Sequence, residues 1–512
     1  MLFPPLKKNL RVDAVVVGGG IAGLTSALRL TRAGKRVAVI DQGEVASGES
    51  SHSTAHLTEF LDTPYTQLVH DLSMEDARIL SEAKRNAIRS IKESSREILL
   101  ELKIDAEFKS MPAYTYGETD AELDELRTEL SSLWDIGMVG YWCDDIPLAG
   151  PALGGIELPN QATVHPRKYL LGLVELLERK GCLFFENTRA TEVIGGVPSK
   201  VVTPGGTILA DDVIMATHVP TSNQTFLQTK VAAYRTYAMV LKLWNSPPEA
   251  LYFDRRDPYH YLRPWGEFWI LGGEDHKTGT EEHAASHFLA LETFARRNLG
   301  VEKVIGQWSG QILEPADGLP YIGHAPGEPH VYLATGFSGC GMTFGTLAGD
   351  IISDLIAGET NGAERLLRPN RMGNFHSLAC YLSENSDFPK FFVKDRIHDA
   401  EVESVDEIAC GEGKRVRIDD RVLAVYRDDE TKLHAVSAVC PHAGCHVHFN
   451  DAEKTWDCPC HGSRFETTGK LLNGPAMENL KRESLARRDP PMTLPLSEAF
   501  GNPFVVHFPD PT

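Results

Sequence analysis

The chain has 512 residues, so at about 100 to 200 residues per domain roughly three domains are expected and a single small binding module is excluded. Lys and Arg number 51 against 71 Asp and Glu, a formal charge of −20 that repels phosphate backbones and anionic lipid and argues against a nucleic-acid partner. The composition, 42% hydrophobic and 24% charged, fits a soluble globular chain, and no apolar run approaches the ~18 residues of a membrane span.

In chain order, Met1 to Lys8 carries no apolar stretch behind its charges, which predicts a cytoplasmic protein and no membrane contact. Residues 12–17 (Val-Asp-Ala-Val-Val-Val) read as a buried strand, followed by Gly18-Gly19-Gly20-Ile21-Ala22-Gly23, a helical pattern through Leu24, Ala27, Leu28 and Leu30, and a second strand from Arg36 to Ile40 that ends at Asp41. Ser73-Met74-Glu75-Asp76 reads as a capping box opening a long helix whose apolar face is Leu80, Ala83, Ala87, Ile88, Ile91 and Ile98. A helix over Pro166–Glu178, a strand over Leu183–Phe185 and a short strand over Val213–Ala216 follow. Ten of the forty residues from 231 to 270 are aromatic, in short runs broken by Pro and Gly, which predicts a β-rich domain. From Val331 a strand meets Gly336-Phe337-Ser338-Gly339-Cys340-Gly341 and a helix through Leu347, Ile351, Ile352 and Leu355, a second glycine-rich strand-to-helix turn. Residues 366–400 lose this periodicity and read as a connector, with short strands and turns from 401 onward.

Gly18, Gly20 and Gly23 stand where a strand turns into a helix, so a pyrophosphate can approach the helix N-terminus, and Asp41 is placed to accept from a ribose 2′-hydroxyl. FAD and NAD both fit that pattern. The rest of the chain resembles the D-amino acid oxidase-like FAD-dependent oxidoreductases, through Asp317-Gly318-Leu319-Pro320-Tyr321-Ile322-Gly323 followed by Gly336 to Gly345. The resemblance covers about residues 11–365 and implies FAD, with Gly336, Ser338, Gly339, Gly341, Met342 and Thr343 beside the flavin ring and ribityl chain. Residues Ser47 to His56 follow the second strand, where such enzymes wrap the flavin, and His52 is placed similarly to the histidine that carries covalent flavin in some dimethylglycine dehydrogenase-like members. A polar loop histidine with no such role is the alternative.

Four cysteines, Cys440, Cys445, Cys458 and Cys460, fall within 21 residues and are interleaved with histidines. Cys440-Pro441-His442 and Cys458-Pro459-Cys460-His461 supply two thiolates and two imidazoles, the donor set of a Rieske 2Fe-2S centre. Together with Gly474-Pro475-Ala476 the segment resembles Rieske proteins. Two Cys and two His would also suit tetrahedral zinc, but the Cys-x-His spacing and the trailing Gly-Pro-Ala favour the cluster. The resemblance implies ligands Cys440, His442, Cys458 and His461 and a disulfide between Cys445 and Cys460, a bond unusual in a reducing cytoplasm. His446 and His448 read as surface histidines. Phe465 stands where respiratory relatives have a tyrosine hydroxyl bonded to a ligand sulfur, and Ala443 replaces a larger leucine; both predict a lower reduction potential.

The two resemblances imply an α/β plus all-β architecture: a discontinuous Rossmann-like FAD-binding domain of glutathione reductase/D-amino acid oxidase type, an inserted mixed-sheet substrate domain and a small Rieske β-domain. The FAD-binding segments are expected at 11–95, 161–225 and 305–365, the substrate-domain segments at 96–160 and 226–304, the connector at 366–400, and the Rieske domain with its tail at 401–512. A flavin takes two electrons and the cluster one, so the pair implies a dehydrogenase acting on the C–N bond of an amine or amino-acid-like substrate by hydride transfer to FAD, with the cluster passing electrons to a soluble carrier. The segment Gly310 to Pro315 lacks the arginine that amino-acid-oxidising relatives often carry there, which favours an amine. Tyr234, Tyr237, Tyr259, Tyr261, Trp265 and Trp269 are candidates for a cation-π wall, Arg263 for a carboxylate contact and His276 for a general base. The alternatives are a reductase or hydroxylase fed through the cluster, an oxidase with an idle cluster, and a non-enzymatic redox sensor.

Overall fold

The computed structural model describes residues 3–148, 150–220, 225–281, 283–371, 381, 384, 391 and 400–485. The expected connector over 366–400 lies largely outside the described residues, as does the tail beyond 485.

Short β-branched runs lie in the middle of an eight-stranded sheet, ordered Tyr321–His324, Val331–Thr335, Gly206–Met215, Leu10–Val17, Val37–Ile40 and Leu183–Phe185, with Ser199–Thr203 paired to Gly206–Met215 and Glu192–Ile194 paired to Ser199–Thr203. The inner strands are parallel and buried on both faces, which is why they read as unbroken apolar runs. The period of two divides them. Ala14, Val16 and Val39 face a helical layer of Ile21–Arg32, Met74–Leu102, Pro166–Arg179 and Gly341–Ala357, while Val15, Val17, Ala38 and Ile40 pack with Val193, Val201 and Ile208 on the opposite face. The expected short strand over Val213–Ala216 is the end of the ten-residue strand Gly206–Met215.

The helix Met74–Leu102 buries Ala77, Leu80, Ala87, Ile88, Ile91 and Ile98 in that core. Only half of its expected capping box forms. Ser73 Oγ accepts from Asp76 N at 3.1 Å, but the Asp76 carboxylate is one methylene too short to return to its own cap and instead accepts from Arg365.

The aromatic-rich segment forms much of a nine-stranded sheet, ordered Val301–Pro315, Val231–Leu243, Phe268–Lys277, His260–Trp265, Leu251–Phe253, Lys109–Gly117, Gly154–Thr163 and His56–Leu57, with Tyr141–Cys143 beside Gly154–Thr163. It is mixed because Leu251–Phe253 pairs parallel with Lys109–Gly117 among otherwise antiparallel neighbours. His56 and Leu57, just after the second strand of the first sheet, pair here with Thr163 and Ala162 and so tie the two sheets together.

Over 400–485 the regular structure is β apart from one 3-10 turn at Val405–Glu407. A three-stranded sheet (Gly413–Ile418, Arg421–Arg427, Leu433–Ser437) and a four-stranded sheet (His448–Asn450, Thr455–Asp457, Arg464–Glu466, Leu471–Asn473) border a core of Val436, Val447, Trp456 and Phe465. Cys440, Cys445 and Cys458 belong to the same core. Among the described residues no helix is long and apolar enough to cross a membrane.

Candidate functional site

A cavity of about 550 Å³ lies between the two large sheets, within the ~300–1,000 Å³ of ordinary ligand pockets. Its floor is the first glycine turn. A Cβ on Gly23 would fall 1.9 Å from Gly18 O, so the helix Ile21–Arg32 reaches the strand only because residue 23 has no side chain. Gly18 has φ +109° and is equally crowded by Ala216 O, at 2.2 Å from a would-be Cβ. Asp41 accepts from Gly19 N and Gly43 N, both at 2.8 Å, and burial holds its carboxyl above the usual range.

Gly18, Gly20, Asp41, His52, Ser338, Gly339, Gly341 and Met342 all line the cavity, bringing together segments from opposite ends of the first 365 residues. Gly23, Gly336 and Thr343 do not line it. Gly23 serves the close approach just described, Gly336 forms the turn at φ +75°, and Thr343 gives its hydroxyl to Cys340 O at 3.1 Å inside its helix. Gly48 and Gly341 border open space, with no atom within 4 Å of a would-be Cβ, as an extended cofactor requires. His52 ends the short helix Glu49–His52, and its carbonyl accepts from Trp308 Nε1 at 2.7 Å.

Asp62 lines the cavity without any signal in the sequence. Asp62 accepts from Gly339 N at 2.9 Å, next to the Tyr259 hydroxyl. Behind them burial pushes Asp275 up to about 6, while burial and the carboxylates of Asp62 and Asp275 push Glu314 up to about 8. His56 lines the cavity edge-on to Tyr261 at 5.0 Å, and burial, helped by Arg263, holds it neutral with a pKa of about 3.

The expected substrate residues separate here. Tyr259 and Tyr261 line the cavity, whereas Tyr234 bonds Glu384, Trp265 bonds Glu107, and Tyr237 and Trp269 lie in the core of the second sheet. Arg263 is buried and donates to Val164 O at 3.3 Å, away from the lining; Arg255 and Arg256 reach the cavity instead, paired with Glu125 and Glu118. His276 is also outside the lining. Its Nδ1 bonds Lys277 O at 3.0 Å, its Nε2 meets the Tyr237 hydroxyl at 2.9 Å, and burial lowers its pKa to about 4. His287 stacks on it at 4.3 Å with Glu281 close by, but parallel rings cannot both aim in-plane lone pairs at one ion.

The C-terminal core holds two matched loops. In each, the glycine four residues after a cysteine donates to that cysteine's carbonyl: Gly444 N to Cys440 O at 3.0 Å and Gly462 N to Cys458 O at 2.9 Å. The loops bring the buried Cys440 and Cys458 together and set the His442 and His461 rings 4.8 Å apart at 88°. His442 Nδ1 is buried with no hydrogen-bond partner while Nε2 meets Gln228 Oε1 at 2.9 Å, so one ring nitrogen is left for iron. A disulfide joins Cys445 to Cys460 and removes both from any metal-binding role. The surface reading of His446 and His448 is corrected: His446 is 7% exposed, and His448 Nδ1 bonds Gly279 O at 2.8 Å where the rest of the chain covers the domain.

That cover is tight. A Cβ on Gly462 would fall 2.2 Å from the Ala233 Cβ, and one on Gly279 would fall 2.8 Å from Pro459 N. Gln311 connects the two sites: it lines the cavity and its N donates to Glu49 Oε2 at 2.8 Å, while its Nε2 donates to Gly462 O at 2.9 Å. Burial alone would raise the Glu49 carboxyl, but Arg235, His218 and this amide bring it below its usual range.

Comparison with known proteins agrees with this geometry. The FAD dependent oxidoreductase family model matches residues 13–355, and the Rieske [2Fe-2S] domain model matches residues 398–484. The Rieske 2Fe-2S iron-sulfur protein YhfW of Bacillus subtilis is 33% identical over 94% of this chain and 95% of its own. Gamma-glutamylputrescine oxidoreductase of Escherichia coli is 23% identical over 70% of this chain and 86% of its own. The crystal structure of glycine oxidase from Geobacillus kaustophilus superposes with a TM-score of 0.63 at 19% identity, covering 71% of this chain and 100% of that one. The chain belongs to the FAD-dependent oxidoreductases of the D-amino acid oxidase family and carries a C-terminal Rieske 2Fe-2S domain.

Proposed function

We propose that this protein is a cytoplasmic dehydrogenase that oxidises a C–N bond of an amine or amino-acid-like substrate and delivers the electrons singly to a soluble carrier. FAD bound in the cavity would supply a two-electron acceptor, and the Rieske centre a one-electron outlet. The observation that carries this reading is Gln311, one residue that walls the cavity and also holds the loop of His461 through Gly462. A cluster seated that close has a use as an electron outlet, which an idle cluster would not need.

On the substrate side, Asp62, fixed by Gly339 N, offers a carboxylate to an ammonium group, and Tyr259 and Tyr261 offer aromatic faces to the same charge. His56, kept neutral by burial, can hold a hydrogen bond to a neutral amine without repelling it. Of the arginines at the cavity, Arg255 and Arg256 are already paired with glutamates and Arg189 donates to Ala476 O on the wall beyond Asp41, which favours an amine over a free amino acid. The relatives named for gamma-glutamylputrescine and for glycine support a nitrogen-bearing substrate.

The test is an anaerobic screen of amines and amino acids that follows flavin absorbance and the reduced-cluster EPR signal together. One substrate is expected to bleach the flavin, with the cluster signal appearing after it. A cluster that reduces only from an external donor, ahead of the flavin and with no amine bleaching it, would overturn the reading in favour of a reductase.

A further inference from the structure

The cavity does not end within the first 365 residues. Beyond Asp41 and Gln42 its wall is Leu472, Asn473, Gly474, Ala476 and Met477, which belong to the Rieske domain. Three hydrogen bonds fix this segment to the nucleotide layers: Gln42 Nε2 to Leu472 O at 3.2 Å, Asn473 Nδ2 to Glu49 Oε1 at 3.2 Å, and Arg189 Nη2 to Ala476 O at 3.4 Å. On its other side the segment is held by the cluster loops. Ala476 N donates to Ser463 Oγ at 3.0 Å, and Ser463 O accepts from Cys458 N at 2.8 Å, with Ser463 fully buried between them.

We propose that the FAD site is composite: residues 472–477 form the wall over the adenosine half of the cofactor, so that FAD retention and seating of the Rieske domain are one linked equilibrium. The assignment of the adenosine half rests on Asp41 as the ribose contact. It is independent of the direction in which electrons flow. A wall that exists only when the Rieske domain is seated stabilises bound FAD, and by reciprocity bound FAD stabilises the seated domain. Ser463 makes the linkage sensitive to the cluster loops, because the residue that receives the wall's amide also closes the loop of Cys458.

The experiment uses the full-length holoprotein and its Asn473→Ala and Met477→Ala variants, neither of which removes a cluster ligand. FAD release is followed by the rise of free-flavin fluorescence after dilution, with cluster content read from visible absorbance. Release is expected about tenfold faster in the variants with the cluster spectrum unchanged, a factor equivalent to ~1.4 kcal/mol of lost contact. Hydrogen exchange supplies the reciprocal measurement: removing FAD from the wild-type chain is expected to raise exchange at 472–477 as well as at the Gly18–Gly23 turn. Variants that release FAD at the wild-type rate, or exchange at 472–477 that ignores FAD while the glycine turn responds, would overturn the composite site. No response at the glycine turn either would overturn the assignment of FAD to this cavity, and the composite site with it.

Discussion

At the scale of single residues, Glu314 carries an unusual charge burden. Burial first, then Asp62 and Asp275, push its carboxyl from the ordinary 4.5 up to about 8. The folded chain therefore keeps a proton that the unfolded chain releases above about pH 4.5, so stability falls as pH rises from there through about 8. Glu314→Gln is expected to remove that loss. Thermal scans at about pH 5 and about pH 9 should show a drop in wild type that shrinks in the variant by at least ~1.4 kcal/mol, the worth of one pKa unit. An equal drop in both would show that Glu314 is ionised in the native state. Phe465 invites a second substitution. It is fully buried in one core with Cys440 and Cys458 and has no hydroxyl to give. Phe465→Tyr is expected to raise the cluster's midpoint by on the order of 40 mV, one hydrogen bond of about 1 kcal/mol acting on a one-electron couple. A redox titration showing no rise would mean the new hydroxyl does not reach a ligand sulfur.

At the scale of elements, the strand Val301–Pro315 does two jobs with its alternation. Ser309, Gln311 and Leu313 are buried, and of these Gln311 holds the cluster loop. Gln311→Leu keeps the volume but leaves Gly462 O without its donor, a loss of about 1–3 kcal/mol for a buried acceptor. Stopped-flow absorbance should then show flavin reduction by substrate near the wild-type rate and slower electron arrival at the cluster; unchanged arrival would remove Gln311 from the route. The sequence made the glycine turn and the cluster loops legible because their chemistry is contiguous: Gly18 to Gly23, Cys440 to Cys445 and Cys458 to Ser463 each carry their own spacing. Gln311 lies in the Gly310–Pro315 segment, whose only sequence signal is the arginine it lacks. Its role is set by Gly462, 151 residues away, and that of Glu49 by Asn473, 424 residues away. His276 was unreadable for another reason. Alternation along Phe268–Lys277 is broken by a register shift opposite Arg235 and Tyr237, with Glu274 at φ +57°, so no period-two count could say which way its ring faces.

At the scale of the whole molecule, the question is what makes the Rieske domain a fixed part of the body instead of a tethered one. Besides the close approach at Gly462 and Gly279, a largely buried ionic lattice joins the two bodies. Arg235, 1% exposed on the strand Val231–Leu243, donates to Glu453 at 2.5 Å; Arg464 donates to the same carboxylate at 2.7 Å and to Asp457 at 3.1 Å. Such a lattice adds little net stability over apolar packing, but removing one member takes a partner from the rest, at a cost below the ~3–5 kcal/mol of a fully buried broken pair because Glu453 is 23% exposed. Arg235→Met leaves the Glu453 and Asp457 charges to Arg464 alone. Calorimetry on the holoprotein is expected to give one cooperative transition in wild type, because neither body can lose the other without exposing this lattice. The variant is expected to give two, with the Rieske body melting first and its cluster absorbance lost in that step. Glu453→Gln, which keeps the shape and one acceptor, should fall between them. A single transition at the wild-type temperature in Arg235→Met would assign the coupling to the close backbone approach at Gly462 and Gly279, where glycine alone fits.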